Sequence, residues 1–363
     1  MQGSNQAIVV QANRFKIRDF ILQRPEWRYV ALILILHVVM LGVTVMAASI
    51  ISSPFSLWFN DTNMLLAAVT LYVLFLGSIW HITLIVLSIF DDVKIKISGA
   101  PLFPEPLRSN LFAMKFYPVG LPALLIIVLT CLAILGTSNI TLLSFKLLSG
   151  TTEWRDGIFW AVEGPLFEWL STLHINTGFW DPLYHSCWAI ELAMVCFLIV
   201  VSQSTRVVFF YGYSMIILYY LGRFIGMLNP VKGPAFYKPE YFNHAADSLT
   251  QMAVDKLNHT LALPLDQAIQ QGGILLGGIS AMPSLHIGMI TLTSYWLYST
   301  RKWTLVITIP WVVMVWISTV VLGWHYVIDG VGGVLLATFS IWVTGYILKF
   351  SWGGLTKDIR AVL

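Results

Sequence analysis

The chain has 363 residues, of which 57% are hydrophobic and only 11% charged, with a net charge of +3. A soluble domain of this length needs far more charge to cover its surface, so the composition excludes that class and points to a polytopic membrane protein. Lys and Arg stand in short clusters between apolar runs, so no nucleic acid is expected as a partner.

The first 28 residues are polar and basic, and the apolar run after them is too long for a signal-peptide core, so 1–28 reads as a cytoplasmic segment. About eight spans are predicted, near 29–51, 64–90, 118–138, 186–202, 207–228, 284–300, 303–324 and 326–349. The first three make an N-terminal membrane region, 29–138. Residues 139–185 then place Trp154, Trp160, Trp169 and Trp180 among polar side chains, which suits either a membrane interface or a packed cap. A second membrane region, the core, follows at 186–350, and 351–363 reads as a cytoplasmic tail. Within the core, a long segment at 229–283 holds a stretch, 239–258, expected to form an amphipathic helix, and the flexible "QGGILLGG" of Gln271 to Gly278.

Positive charge sets the orientation. With eight alternating spans, the clusters at Arg14 to Arg28, Lys94 to Lys115, Arg206, Arg301–Lys302 and Lys349 to Arg360 fall on one side. Both termini are therefore expected in the cytoplasm, with 139–185 and 229–283 on the periplasmic, extracellular or lumenal side. The expected fold class is all-α, a polytopic membrane helix bundle. The cysteines Cys131, Cys187 and Cys196 show no disulfide framework or metal-type spacing, and neither a metal nor another cofactor is expected.

The chemistry-bearing residues stand at two span ends. His286 lies in "AMPSLHIG", Ala281 to Gly288, and His325 in "GWHYVIDG", Gly323 to Gly330, with Asp329 four residues on. One span runs inward after His286 and the next returns to His325, so a helical hairpin brings both imidazoles to one membrane depth. A carboxylate one turn away can hold the Nδ1 proton of His325 and leave Nε2 free as nucleophile or base. The second imidazole can protonate a departing oxygen, and Ser284 with the turn amides can face an anion. Those parts suit attack on phosphorus through a phosphohistidine.

The two patches resemble the second and third signature motifs of the type-2 phosphatidic acid phosphatase superfamily, P-S-G-H and S-R-x5-H-x3-D. Ser318 stands seven residues before His325, as in the third motif. Leu285 replaces the Gly of the second motif and Thr319 the Arg of the third. The first motif, K-x6-R-P, has as its nearest stretch "KGPAFYKP", Lys232 to Pro239. The resemblance covers roughly 205–350 and is most similar to the inositol phosphorylceramide synthase-like branch. It implies His325 as nucleophile, Asp329 as its orienting acid, His286 as acid and then base, and Ser284 on a phosphate oxygen. Lys232, Lys238 and Arg223 are the candidates to replace the missing motif cations.

The expected function is a lipid phosphotransferase, moving a phosphate-containing group from a lipid phosphate ester or phosphodiester to a lipid or sugar alcohol. Water as acceptor would make it a lipid phosphate phosphatase. A proton-coupled transporter is a third reading, disfavoured because the ionisable residues cluster at span ends. A metal site of His244, His286 and His325 is a fourth, which their spacing does not demand. Other residues are expected to be structural. The His244/Asp247 pair reads as a loop feature, and His37, His81, His174 and His185 as packing or interfacial residues. Glu191, inside a span, is held as a possible functional carboxylate.

Overall fold

The computed structural model describes residues 25–50, 52, 55, 82–83, 85–103, 125–133, 154–202, 205–264, 267 and 281–348. Among them every regular element is a helix: α1 (Pro25–Ile50), α2 (Asp156–Ser171), α3 (Thr177–His185), α4 (Cys187–Ser202), α5 (Thr205–Leu228), α6 (Leu249–Ala262), α7 (Leu285–Thr300), α8 (Leu305–Val321) and α9 (Val327–Ile347). Short helical stretches also occupy 85–98 and 125–133.

Four segments among these are long and apolar enough to cross a bilayer: Trp27–Ile50, Arg206–Leu228, Lys302–Val321 and Val327–Ile347. That is half the expected number. The expected spans near 64–90 and 118–138 lie largely outside the described residues, as do most of the basic cluster at Arg14 to Arg28 and all of that at Lys349 to Arg360. The other two, α4 and α7, have 16 residues each. At 1.5 Å per residue such a helix reaches ~24 Å, short of a ~30 Å hydrocarbon core. Helix α7 is also enclosed by protein. Eleven of its residues are buried, so it is the central helix of the bundle, and its neighbours rather than lipid surround it.

Helix α7 packs against α4, α5, α8 and, most extensively, α9. Glycine makes the α7–α9 crossing possible. A Cβ on Gly333 would lie 2.4 Å from the Ser284 carbonyl oxygen and 3.0 Å from Gly288 N, so only a bare backbone lets the two helices approach this closely. The long α1 leaves Leu34, Ile35, Val38 and Met46 exposed, as a lipid-facing helix would. His37 ties it inward, with Nδ1 2.6 Å from Tyr220 Oη and Nε2 2.8 Å from the Leu129 carbonyl.

At the end of the bundle that carries both histidines, α2, α3 and α6 form a cap. Its small core gathers Phe167, Val231, Ala235, Phe242, Ala281, Val320 and Tyr326. The Trp-rich segment divides between its two expected roles. Trp160 stacks on buried Phe167 with ring centroids 5.6 Å apart, whereas Ile158, Val162 and Trp169 are exposed. The amphipathic helix expected at 239–258 starts ten residues late, at Leu249. Two 3-10 turns, Pro239–Tyr241 and Asn243–Ala245, precede it, and Asp247 takes a φ of +62° that no helix continues through. The Asp181 carboxylate then receives the Leu249 and Thr250 N–H groups, each at 2.9 Å, which fixes the new start.

Candidate active site

The segment 230–235 gathers the site-forming strands of backbone. Pro230 accepts from Arg155 N at 2.9 Å, Val231 accepts from Ala281 N at 2.8 Å, and Ala235 N donates to Gly323 O at 2.9 Å. The Asp156 carboxylate takes the Lys232 and Gly233 N–H groups, both at 2.9 Å. Burial raises the Asp156 pKa, and those backbone donors oppose the rise. The stretch that stands in for the first motif is thus bonded directly to the turn before His325. Gly323 permits that turn: its φ is +76°, and a Cβ there would sit 2.6 Å from Ala235 Cβ.

Ser284 N donates to the Asp329 carbonyl at 2.9 Å, joining the first turns of α7 and α9. His286 and His325 consequently face each other with ring centroids 6.1 Å apart and planes at 67°. Asp329 Oδ2 lies 3.5 Å from His325 Nδ1, longer than a hydrogen bond, and accepts from Tyr326 N at 2.8 Å. Among the described residues no hydrogen bond reaches His325 Nδ1 or Asp329 Oδ1, both buried. A second carboxylate supports the same turn. Glu163 of α2 accepts from Val327 N at 2.6 Å and Ile328 N at 3.0 Å, covering the N-terminus of α9. Burial raises its pKa above the usual range, against those two bonds.

The other expected residues take varied places. Ser284 is buried and caps α7, its hydroxyl accepting from Ile287 N at 3.4 Å. Arg223, near the end of α5, lies within electrostatic reach of His286, and its buried Nε has no hydrogen-bond partner among the described residues. The Lys232 ammonium stands 4.7 Å over the Trp154 ring, and Lys238 pairs with Glu240 at 3.7 Å. Ser318 and Thr319 direct their hydroxyls to the carbonyls of Val315 and Trp316 within their own helix, both at 2.7 Å. His244 is anchored through Nε2, 2.8 Å from the Val321 carbonyl. It joins no cluster of three or more His, Cys, Asp or Glu side chains among the described residues. Glu191 is buried in α4 and accepts a hydrogen bond from Thr293 of α7.

His185 departs from its expected remoteness. It lies within electrostatic reach of His286 and, through Nε2, sits 3.3 Å from both Asp181 Oδ1 and Thr250 Oγ1. Burial lowers its pKa, and Asp181 opposes the shift. Its neighbours Tyr184 and Trp188 also flank His286, at ring distances of 5.5 Å and 5.7 Å. Tyr184 stacks on Trp324 at 5.5 Å. One signal for this group was available in the sequence: Asp181 and His185 repeat the four-residue acid–imidazole spacing of His325 and Asp329, again beside an apolar run.

Two imidazoles and a carboxylate thus meet beside the N-terminus of α9, at one end of the bundle. A family model, that of the PAP2 superfamily, matches residues 157–343, more than half of the chain. The chain belongs to the PAP2 superfamily, whose members are phosphatases or phosphotransferases. The match opens well before residue 205, where the motif resemblance began, and takes in α2, α3 and α4. These are the helices that bring Glu163, Tyr184, His185 and Trp188 to the site. No curated protein and no solved structure matches the chain.

Proposed function

We propose that this protein is a lipid phosphotransferase that carries a phosphate-containing group on His325, with its site on the periplasmic, extracellular or lumenal side. His325 Nε2 attacks phosphorus, and the ester P–O bond breaks as His286 gives a proton to the departing alkoxide. His286 then takes the proton of the acceptor hydroxyl, whose oxygen attacks phosphorus and breaks the P–N bond, restoring His325. Asp329 holds Nδ1–H and balances the imidazolium-like charge; the 3.5 Å contact tightens to a hydrogen bond when substrate enters. Arg223 meets the phosphate oxygens, with Lys232 and Lys238 as further cations and Ser284 at the base of the site.

The observation that carries this reading is the 6.1 Å approach of the two imidazoles, with a buried carboxylate beside one of them. Leu285 in the second motif favours the inositol phosphorylceramide synthase-like branch, in which an alcohol accepts. Membership of a superfamily that includes phosphatases favours water instead. The test is to incubate the full chain in lipid nanodiscs with a panel of lipid phosphates and phosphodiesters, with and without lipid and sugar alcohols. Mass spectrometry reads the products, and His325→Gln is the control. Transfer yields a new alcohol-linked phosphate lipid, and hydrolysis yields free phosphate. Equal turnover by His325→Gln contradicts both.

A further inference from the structure

Trp188 is the second residue of α4, and its indole N–H donates to His286 Nε2 at 3.1 Å. An indole nitrogen donates and cannot accept, so chemistry fixes the direction of this bond. His286 Nε2 presents its lone pair, and the ring proton of the neutral imidazole is on Nδ1. An imidazolium carries N–H at both nitrogens and would set one donor against another.

The remaining surroundings of His286 do not select a nitrogen. Tyr184 of α3 lies beside its ring, and His325 crosses it edge-on. Burial is the main factor against a positive His286, and His325 before α9, Arg223 of α5 and His185 of α3 each oppose it further when they are charged. Trp188 is the one donor to the ring among these groups. It is also partly open, at 37% exposure, so this flank of the imidazole opens outward from the core.

We infer that Trp188 is a positioning residue that fixes the tautomer of His286 and stabilises the state in which Nε2 has given up its proton. The inference rests on the acid–base role proposed for His286. In the first half-reaction the His286 imidazolium passes its Nε2 proton to the leaving alkoxide as the P–O bond breaks. The freed lone pair then accepts the Trp188 hydrogen bond. The indole thereby makes His286 a stronger acid toward the leaving alcohol and a weaker base toward the acceptor.

The test uses the full chain in nanodiscs with ring-15N-labelled histidine, with His286 assigned through His286→Gln. At pH 7 the wild-type Nε2 resonates as an unprotonated nitrogen, and Trp188→Phe moves the ring toward the Nε2–H tautomer. Benzothienylalanine in place of Trp188 keeps the indole shape without its N–H and gives the same shift should the Phe variant misfold. A wild-type Nε2–H tautomer, or a tautomer unmoved by either replacement, overturns the inference. With short-chain phosphatidic acid as substrate, either replacement raises the alkaline limb of kcat/KM by about half to one pH unit, the size of one hydrogen bond selective for a protonation state. An unmoved limb with His286→Gln inactive sinks the Trp188 role alone. Full activity of His286→Gln sinks the proposed mechanism and leaves the tautomer result standing.

Discussion

Two imidazoles at this end of the bundle, His185 and His325, lie within 3.5 Å of a carboxylate four residues away, and their surroundings differ. In the His185/Asp181 pair the acid is saturated. Asp181 receives the Leu249 and Thr250 N–H groups and the Thr250 hydroxyl, and Thr250 also receives the Trp324 indole N–H at 3.2 Å. In the His325/Asp329 pair, one acid oxygen and the facing imidazole nitrogen are buried without a hydrogen bond. Leaving such groups unmatched costs free energy. Under the proposed function, that cost is carried where a site must still receive a substrate and a proton, and avoided where the acid only holds a helix in place. Sequence spacing is identical in the two pairs; the number of partners separates them.

Substitutions can break or sharpen this contrast. The largest effect is expected at the open pair: His325→Gln lowers turnover by about 10³-fold or more, and Asp329→Asn by roughly 10²–10⁴-fold, with unchanged helical circular dichroism. Steady-state kinetics on both variants measures this, and retained turnover would remove the distinction. The saturated pair should behave oppositely. Asp181→Asn costs about 1–3 kcal/mol of stability in a denaturant titration, with kcat per folded molecule unchanged. Gly333→Ala pushes α9 off the Ser284 carbonyl, at about 1–3 kcal/mol. Because it separates the two histidine turns, it lowers kcat along with the melting temperature.

The smallest expected effect is in pH. Burial holds His185 below its ordinary value of 6.5, so folding disfavours its charged form. Its contribution to stability is present above that value and lost as pH falls through the acid range. Thermal unfolding from pH 7 to pH 5 should show the wild type losing more stability than His185→Asn; equal losses would mean the imidazole is not held neutral by the fold.

The parts of the site legible in the sequence are those set by helix rise and chain direction. An antiparallel hairpin returns His325 to the end of the bundle that holds His286, whereas Asp329 comes beside it through the turn at Tyr326, since α9 begins only at Val327 and His325 precedes the helix. The contribution of α2, α3 and α4 was not legible. Glu163, Tyr184 and Trp188 lie more than 90 residues from the turns they touch, and no periodicity encodes such a contact. The membrane reading rested on apolar run length, which identifies α1, α5, α8 and α9. It says less about α7, whose apolar residues face other helices. The delayed start of α6 was hidden for a different reason: the acid that caps it comes from α3.

The central claim is that His325 carries the phosphorus between donor and acceptor. The full chain in nanodiscs is mixed with phosphate-labelled phosphatidic acid, quenched in alkali to preserve phosphohistidine, and digested for mass spectrometry. The account predicts label on the peptide bearing His325, discharged by added alcohol or water and absent in His325→Gln. Turnover with no label on that peptide, or with label on another residue, would contradict it.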